Sequence, residues 1–278
     1  MPPNTPTLPA PVVVIFGGTA AYEIDPGEFA PIVARRRLTT PYGTSPLFYQ
    51  LQTADGRAVW FSSRHGEDTL ARSARFVNHR ANIWAARALG GTHILSWNGV
   101  GAINPRLRVG DMVVPARLLD WTRNRQSSFG PTPHPSRAAA RTIDHINQGD
   151  DPRQAAQPFA ADARRAILRH GDATLDPTAT LTYVCTEGPR LETAAEIALA
   201  GQLGADVVGM TLCPEVWLAA ELGVAYASLC LVTNFVTGLW HLDPRRDFGA
   251  GVARRALPVL LAAAVELGAR TAFMPASA

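Results

Sequence analysis

The run Pro11-Val12-Val13-Val14-Ile15-Phe16 is apolar at every position, rich in β-branched side chains and closed by Gly17-Gly18. A strand with one wet face alternates apolar and polar residues, so a run without alternation belongs to a strand covered on both sides. Such a strand needs helices above and below its sheet. Further short apolar runs lie at 92–97, 112–114, 180–184, 206–208 and 225–232, interleaved with segments of helical spacing at 159–170, 192–202 and 214–222. This alternation predicts an α/β fold with a mixed, largely parallel sheet surrounded by helices.

Local signals place the joints. Asp55-Gly56 suits a turn with positive φ, so 51–53 and 59–63 read as a β-hairpin that delivers Arg64-His65 at its end. Asn78 can cap a helix in which Ala81, Trp84, Ala85 and Ala88 keep helical spacing until Gly90-Gly91 stops it. A last helix over 249–267 carries Val252, Leu257, Leu260, Leu261 and Val265, with a kink expected at Pro258. Residues 124–158, with Pro131, Pro133, Pro135, Gly149 and Pro152, read as a long irregular connection.

With 278 residues, 47% hydrophobic and 18% charged, the chain can bury one large core. A single domain over 11–278, after a flexible 1–10 segment, is the expectation. The net charge is only +3 and the basic residues are all arginine. Their one run, Arg35-Arg36-Arg37, reads as a solvated face, so no nucleic-acid partner is expected. Cys185, Cys213 and Cys230 lack the paired spacing of a zinc site and sit in or beside apolar runs, where a thiol acts as a small hydrophobe. No metal and a reducing cytoplasm are the expectations. The N-terminus lacks the charged and apolar regions of a signal peptide, and the longest apolar tract is interrupted by Glu221 and Gly223, so no membrane segment is expected.

Several short segments carry chemistry. Gly17-Gly18-Thr19 offers backbone amides in a tight turn and a hydroxyl, a combination suited to an anion. Arg64 adds a guanidinium fork that matches phosphate, and His65 a second donor. Asn98-Gly99-Val100-Gly101-Ala102, the stretch from Tyr183 through Glu187-Gly188-Pro189-Arg190-Leu191-Glu192-Thr193, and Gly209-Met210-Thr211 complete the set.

In order and spacing these segments resemble the trimeric nucleoside phosphorylases, the family that contains purine nucleoside phosphorylase and methylthioadenosine phosphorylase. The likeness runs from Val13 to the final helix. It implies a partly barrel-like sheet of the nucleoside phosphorylase kind, a homotrimer, and a pentosyl transfer that uses inorganic phosphate as co-substrate and no cofactor. It also implies a phosphate site of Gly18, Thr19, Arg64, His65, Asn98, Gly99 and Thr211, and a nucleoside site of Val100, Gly101, Leu191, Val208, Gly209, Met210 and Val236. Phe129 and His145 are then lent by a neighbouring subunit to the 5′ end of the nucleoside.

The catalytic pair implied by the resemblance is Glu192 and Asn234. A 6-oxopurine bears hydrogen on N1, from which a carboxylate can accept, whereas adenine N1 is itself an acceptor and would meet Glu192 lone pair to lone pair. Asn234 can donate toward N7 or O6, while adenine-selective relatives place an aspartate there and a second one at 236. Ordinary purine nucleoside phosphorylases have a lysine where this chain has Phe235. Asn234 with Val236 looks most like the bacterial methylthioinosine phosphorylases, which implies a 6-oxopurine nucleoside with an apolar 5′ group as substrate. Methylthioadenosine, inosine or guanosine, and a non-catalytic nucleoside-binding role, remain the alternatives. The chain departs from the family at Ala20, where another glycine is usual, at Trp97, which replaces a small residue beside the phosphate segment, at Leu191, and over 124–158.

Overall fold

The computed structural model describes residues 10–66, 73–130, 158–171 and 180–270. Its strands are β1 (Val13–Gly17), β2 (Ile32–Arg36), β3 (Thr39–Thr40), β4 (Gly43–Thr44), β5 (Phe48–Gln52), β6 (Ala58–Ser63), β7 (His93–Ala102), β8 (Met112–Val113), β9 (Arg117–Asp120), β10 (Thr182–Cys185), β11 (Val207–Gly209) and β12 (Ala225–Phe235). Its α-helices are α1 (His79–Ala88), α2 (Ala161–His170), α3 (Ala194–Gln202), α4 (Leu212–Glu221) and α5 (Ala250–Arg270). His145, most of the 124–158 connection, and the 1–10 segment save Ala10 lie outside the described residues.

Apart from the small β3–β4 ribbon, all these strands join one mixed sheet in the order β2-β5-β6-β1-β7-β11-β10-β9, with β12 paired to both β7 and β8. The hairpin of β5 and β6 forms as expected. Alternate residues of β1 part to opposite faces, as an unbroken apolar run requires. Val13 and Ile15 pack with Leu95, Leu229 and the α2 and α5 residues Ile167, Leu257 and Leu260. Val14 and Phe16 pack with Ile94, Tyr226 and the α1 and α4 residues Ile83, Val216 and Leu218. Each such side chain stabilises by about 1.5–3 kcal/mol when fully buried, so both helix layers are needed.

Strand β7 sets where a site can open. Its first half pairs with β1, from Val13↔His93 to Phe16↔Ser96, and its last residues, Gly101 and Ala102, pair with antiparallel β11. β12 follows it along its whole length on the other edge. Between the departure of β1 and the arrival of β11, residues 97–100 have one edge without a strand. Openings of this kind, beside the carboxyl ends of parallel strands, are where α/β sheets bind ligands.

Some boundaries differ from the expectation. Helix α3 starts two residues after Glu192, because Thr193 caps it and Glu196 completes a capping box. Helix α5 continues through Pro258 to Arg270. Pro258 lies on the exposed side, where water can satisfy the carbonyl it leaves unbonded. The three cysteines are buried and unbridged. No helix among the described residues is long and apolar enough to cross a membrane.

Candidate active site

A cleft of about 540 Å³ opens along the bare edge of β7. From the expected anion set it gathers Gly18, Thr19, Arg64, His65, Asn98, Gly99 and Thr211. From the expected nucleoside set it gathers Val100, Gly101, Leu191, Glu192, Val208, Gly209, Met210, Asn234 and Val236. β1, β6, β11 and β12 each end at this cleft, so residues far apart in sequence meet there.

Arg64 follows β6 and is only 2% exposed. Its Nη1 donates to Trp97 O at 3.2 Å, to Thr211 Oγ1 at 2.9 Å and to Asn98 Oδ1. Its Nη2 is buried with no hydrogen-bond partner among the described residues. An unsatisfied buried guanidinium nitrogen is costly, and an anion is the partner that suits it. Thr19 Oγ1 accepts from Gly99 N at 3.0 Å, which leaves the hydroxyl hydrogen to donate elsewhere. Gly18 allows the close approach of this turn: a Cβ there would stand 2.2 Å from Trp97 O and 3.0 Å from Arg64 Nη1. His65 is buried beside Tyr22, the two rings edge to face at 6.3 Å. Two backbone groups stranded on the β7 edge, Trp97 O and Gly99 N, are thus satisfied by the site's own side chains.

Glu215 of α4 holds Arg64 from behind. Its Oε1 lies 3.0 Å from Arg64 Nε and 3.2 Å from His79 Nδ1, and its Oε2 accepts from Tyr226 Oη at 2.7 Å. Burial alone would raise the pKa of this carboxyl, yet the Arg64 charge and the bonds from His79 and Tyr226 hold it down to about 2. Burial pushes the His79 imidazole below its ordinary 6.5, against the pull of Glu215, so His79 stays neutral at pH 7. The result is an ion pair sealed in the core, in which removing one partner strands the other.

At the other end Glu192 is free of the helix it precedes, since Glu196 serves the α3 terminus and pairs with Arg190 at 2.7 Å. Thr186 Oγ1 donates to Glu192 Oε1 at 2.5 Å, which leaves Oε2 as an acceptor. Asn234 follows a β-bulge between Val232 and Asn234 that re-aims the strand. Its Oδ1 lies 2.9 Å from Thr233 Oγ1 and its Nδ2 donates to Phe235 O at 2.9 Å, so one amide hydrogen remains to be donated.

Phe129 lies apart from the cleft. It is 1% exposed, its ring lies 5.3 Å from that of Tyr42, and its N–H donates to Glu221 Oε2 at 3.0 Å. The ring is enclosed within its own subunit and does not line this subunit's cleft. His145 lies outside the described residues. Among the described residues, no group of three or more His, Cys, Asp or Glu could hold a metal ion.

Five further residues at or behind the cleft lie outside the set expected from the sequence. Arg125, 5% exposed, donates from Nη1 to Met210 O and, at 2.7 Å, to Cys213 O, and from Nη2 to Glu187 O at 2.6 Å. It joins the segment that carries Glu192 to the one that carries Thr211, yet it sits in an irregular stretch with no periodic signal. Glu215 did carry a signal, an acidic residue within an apolar helix, which predicts a buried partner. Trp240, Arg246 and Phe248 line the mouth of the cleft, with the Arg246 guanidinium 4.6 Å over the Trp240 ring.

Residues 13–265 match the family model described as Phosphorylase superfamily. A probable 6-oxopurine nucleoside phosphorylase of Thermococcus kodakarensis is 37% identical over 235 residues, covering 82% of this chain and 81% of the relative. A probable S-methyl-5′-thioinosine phosphorylase of Methanothermobacter thermautotrophicus is 38% identical over 230 residues, covering 82% of this chain and 73% of the relative. Methylthioadenosine phosphorylase from Schistosoma mansoni in complex with adenine is similar in structure, with a TM-score of 0.74 and 29% identity over 93% of this chain and 92% of that one.

Proposed function

The chain belongs to the phosphorylase superfamily, and from that premise we propose that this enzyme, of the purine nucleoside phosphorylase type, cleaves a 6-oxopurine nucleoside with an apolar 5′ group, such as S-methyl-5′-thioinosine. Inorganic phosphate is the co-substrate. This assignment rests on one juxtaposition: a buried arginine with an unpartnered nitrogen shares a single cleft with an anchored carboxylate acceptor and an oriented amide donor.

In this reading Thr19, Arg64, His65 and Thr211 hold phosphate beneath C1′ of the ribose, with Met210 under the sugar. A phosphate oxygen forms the bond to C1′ as the C1′–N9 bond breaks, and the electron pair passes to the purine. Asn234 meets the charge that gathers at N7 and O6, and Glu192 accepts from N1–H. Glu215 acts only through Arg64. Catalysis is then positional and electrostatic, without a covalent enzyme intermediate.

The adenine nucleoside is the second reading, favoured by the likeness to the schistosome enzyme. A homotrimer in the cytoplasm completes the proposal. Leu191, Trp240 and Phe248 at the cleft mouth are 59%, 43% and 52% exposed, which suits a site covered by substrate or by another subunit. Phosphorus NMR of a reaction with S-methyl-5′-thioinosine tests the chemistry. A sugar 1-phosphate should form in step with free hypoxanthine, whereas base release at the same rate without phosphate would mark a hydrolase.

A further inference from the structure

We propose that Trp97 is a positioning residue that sets the spacing between the two halves of the anion cradle, an inference that rests on the phosphate site proposed above. Its indole Nε1 donates to Thr19 O at 3.1 Å, while its own carbonyl accepts from Arg64 Nη1 at 3.2 Å. One residue thereby holds both the turn that carries the Thr19 hydroxyl and the guanidinium across from it. The ring is fully buried and stacks on Phe61 at 5.9 Å with the planes 10° apart, so the indole cannot swing away. It also abuts the end of β1, where a Cβ on Gly17 would lie 2.7 Å from Trp97 Cη2.

The turn needs such a hold. Ala20, next after Thr19, has φ 59° and ψ 11°, and it is the only non-glycine residue with positive φ among those described. An L-residue with a Cβ resists that conformation, so neighbours must impose it. The Trp97 bond to the carbonyl of Thr19 acts on the peptide that joins Thr19 to Ala20. The geometry thus links Trp97 and Ala20 as constraint and strain.

The test uses inorganic phosphate as probe, through its effect on Tm and through KM for phosphate and for nucleoside. Trp97→Phe keeps an aromatic ring but loses the N–H. It should weaken phosphate binding about tenfold, the scale of one buried group left unpaired, with KM for nucleoside nearly unchanged. Adding Ala20→Gly should restore part of the loss, because glycine adopts positive φ without strain. Phe61→Leu, which removes the stacking partner and keeps the indole N–H, should lower Tm and weaken phosphate binding less than Trp97→Phe does. If Trp97→Phe does not fold, 3-benzothienylalanine at 97 gives the same shape without the N–H. Unchanged phosphate binding without the N–H, or no recovery with Ala20→Gly, would overturn the inference. A wild-type protein that neither binds phosphate nor requires it would instead overturn the function on which the inference rests.

Discussion

Asn234 differs from an aspartate by one donor group, and the proposed function makes that group the selector of the purine. With one Nδ2 hydrogen on Phe235 O, the amide keeps a second hydrogen to donate to the base, which a carboxylate lacks. Asn234→Asp should therefore set a carboxylate against O6 and favour an exocyclic amine. The kcat/KM ratio of methylthioinosine to methylthioadenosine should fall roughly tenfold to a hundredfold, the worth of one good or bad hydrogen bond in a pocket. Glu192 should keep the switch incomplete. A ratio indifferent to position 234 would refute the role. His79 gives a second prediction, on stability. Its folded pKa lies below 6.5, so as pH falls through 6.5 the unfolded chain takes up a proton that the native state resists, and stability is lost. Glu215 adds a loss of the same sign between 4.5 and about 2. Tm should drop on acidification below 6.5, and His79→Gln, which can still donate to Glu215 but does not titrate, should flatten the upper part of that fall. An identical slope in both proteins would contradict it.

The elements that carry the site are short loops, and Arg125 is what makes two of them one wall. Arg125→Met leaves the carbonyls of Glu187, Met210 and Cys213 without their donor. It should cost about 2–4 kcal/mol of stability, the scale for hydrogen bonds to a buried charged group, and lower kcat/KM for nucleoside. Thermal unfolding and steady-state kinetics check this, and an unchanged Tm would count against the clamp. The elements themselves were legible where one local pattern dominated. The run at β1, the Asp55-Gly56 turn and the Asn78 cap each reported the structure that forms. Strand β7 extends past 97 to Ala102 although Gly99 and Gly101 weaken a strand, because β12 pairs with it along that length. Glu192 reads as the first residue of α3 by composition, yet the Thr193 capping box starts the helix later. Arg125 and the 237–249 stretch with Trp240 and Arg246 follow no period, so only the folded chain brings them to the cleft.

At the scale of the whole molecule, the cleft exists because β1 and β11 meet β7 at different heights and leave residues 97–100 bare between them. The residues proposed for the anion and those proposed for the base then line one opening. If a neighbouring subunit completes the 5′ end, the active protein should sediment as a trimer, and a fully active monomer would reject the shared site. The chemistry of the base end is read out by kcat/KM for S-methyl-5′-thioinosine against S-methyl-5′-thioadenosine, each with and without phosphate. Cleavage should require phosphate and favour the 6-oxopurine nucleoside by at least about tenfold, the scale of one well-placed polar contact; preference for the adenine nucleoside, or turnover indifferent to phosphate, would overturn the proposed function.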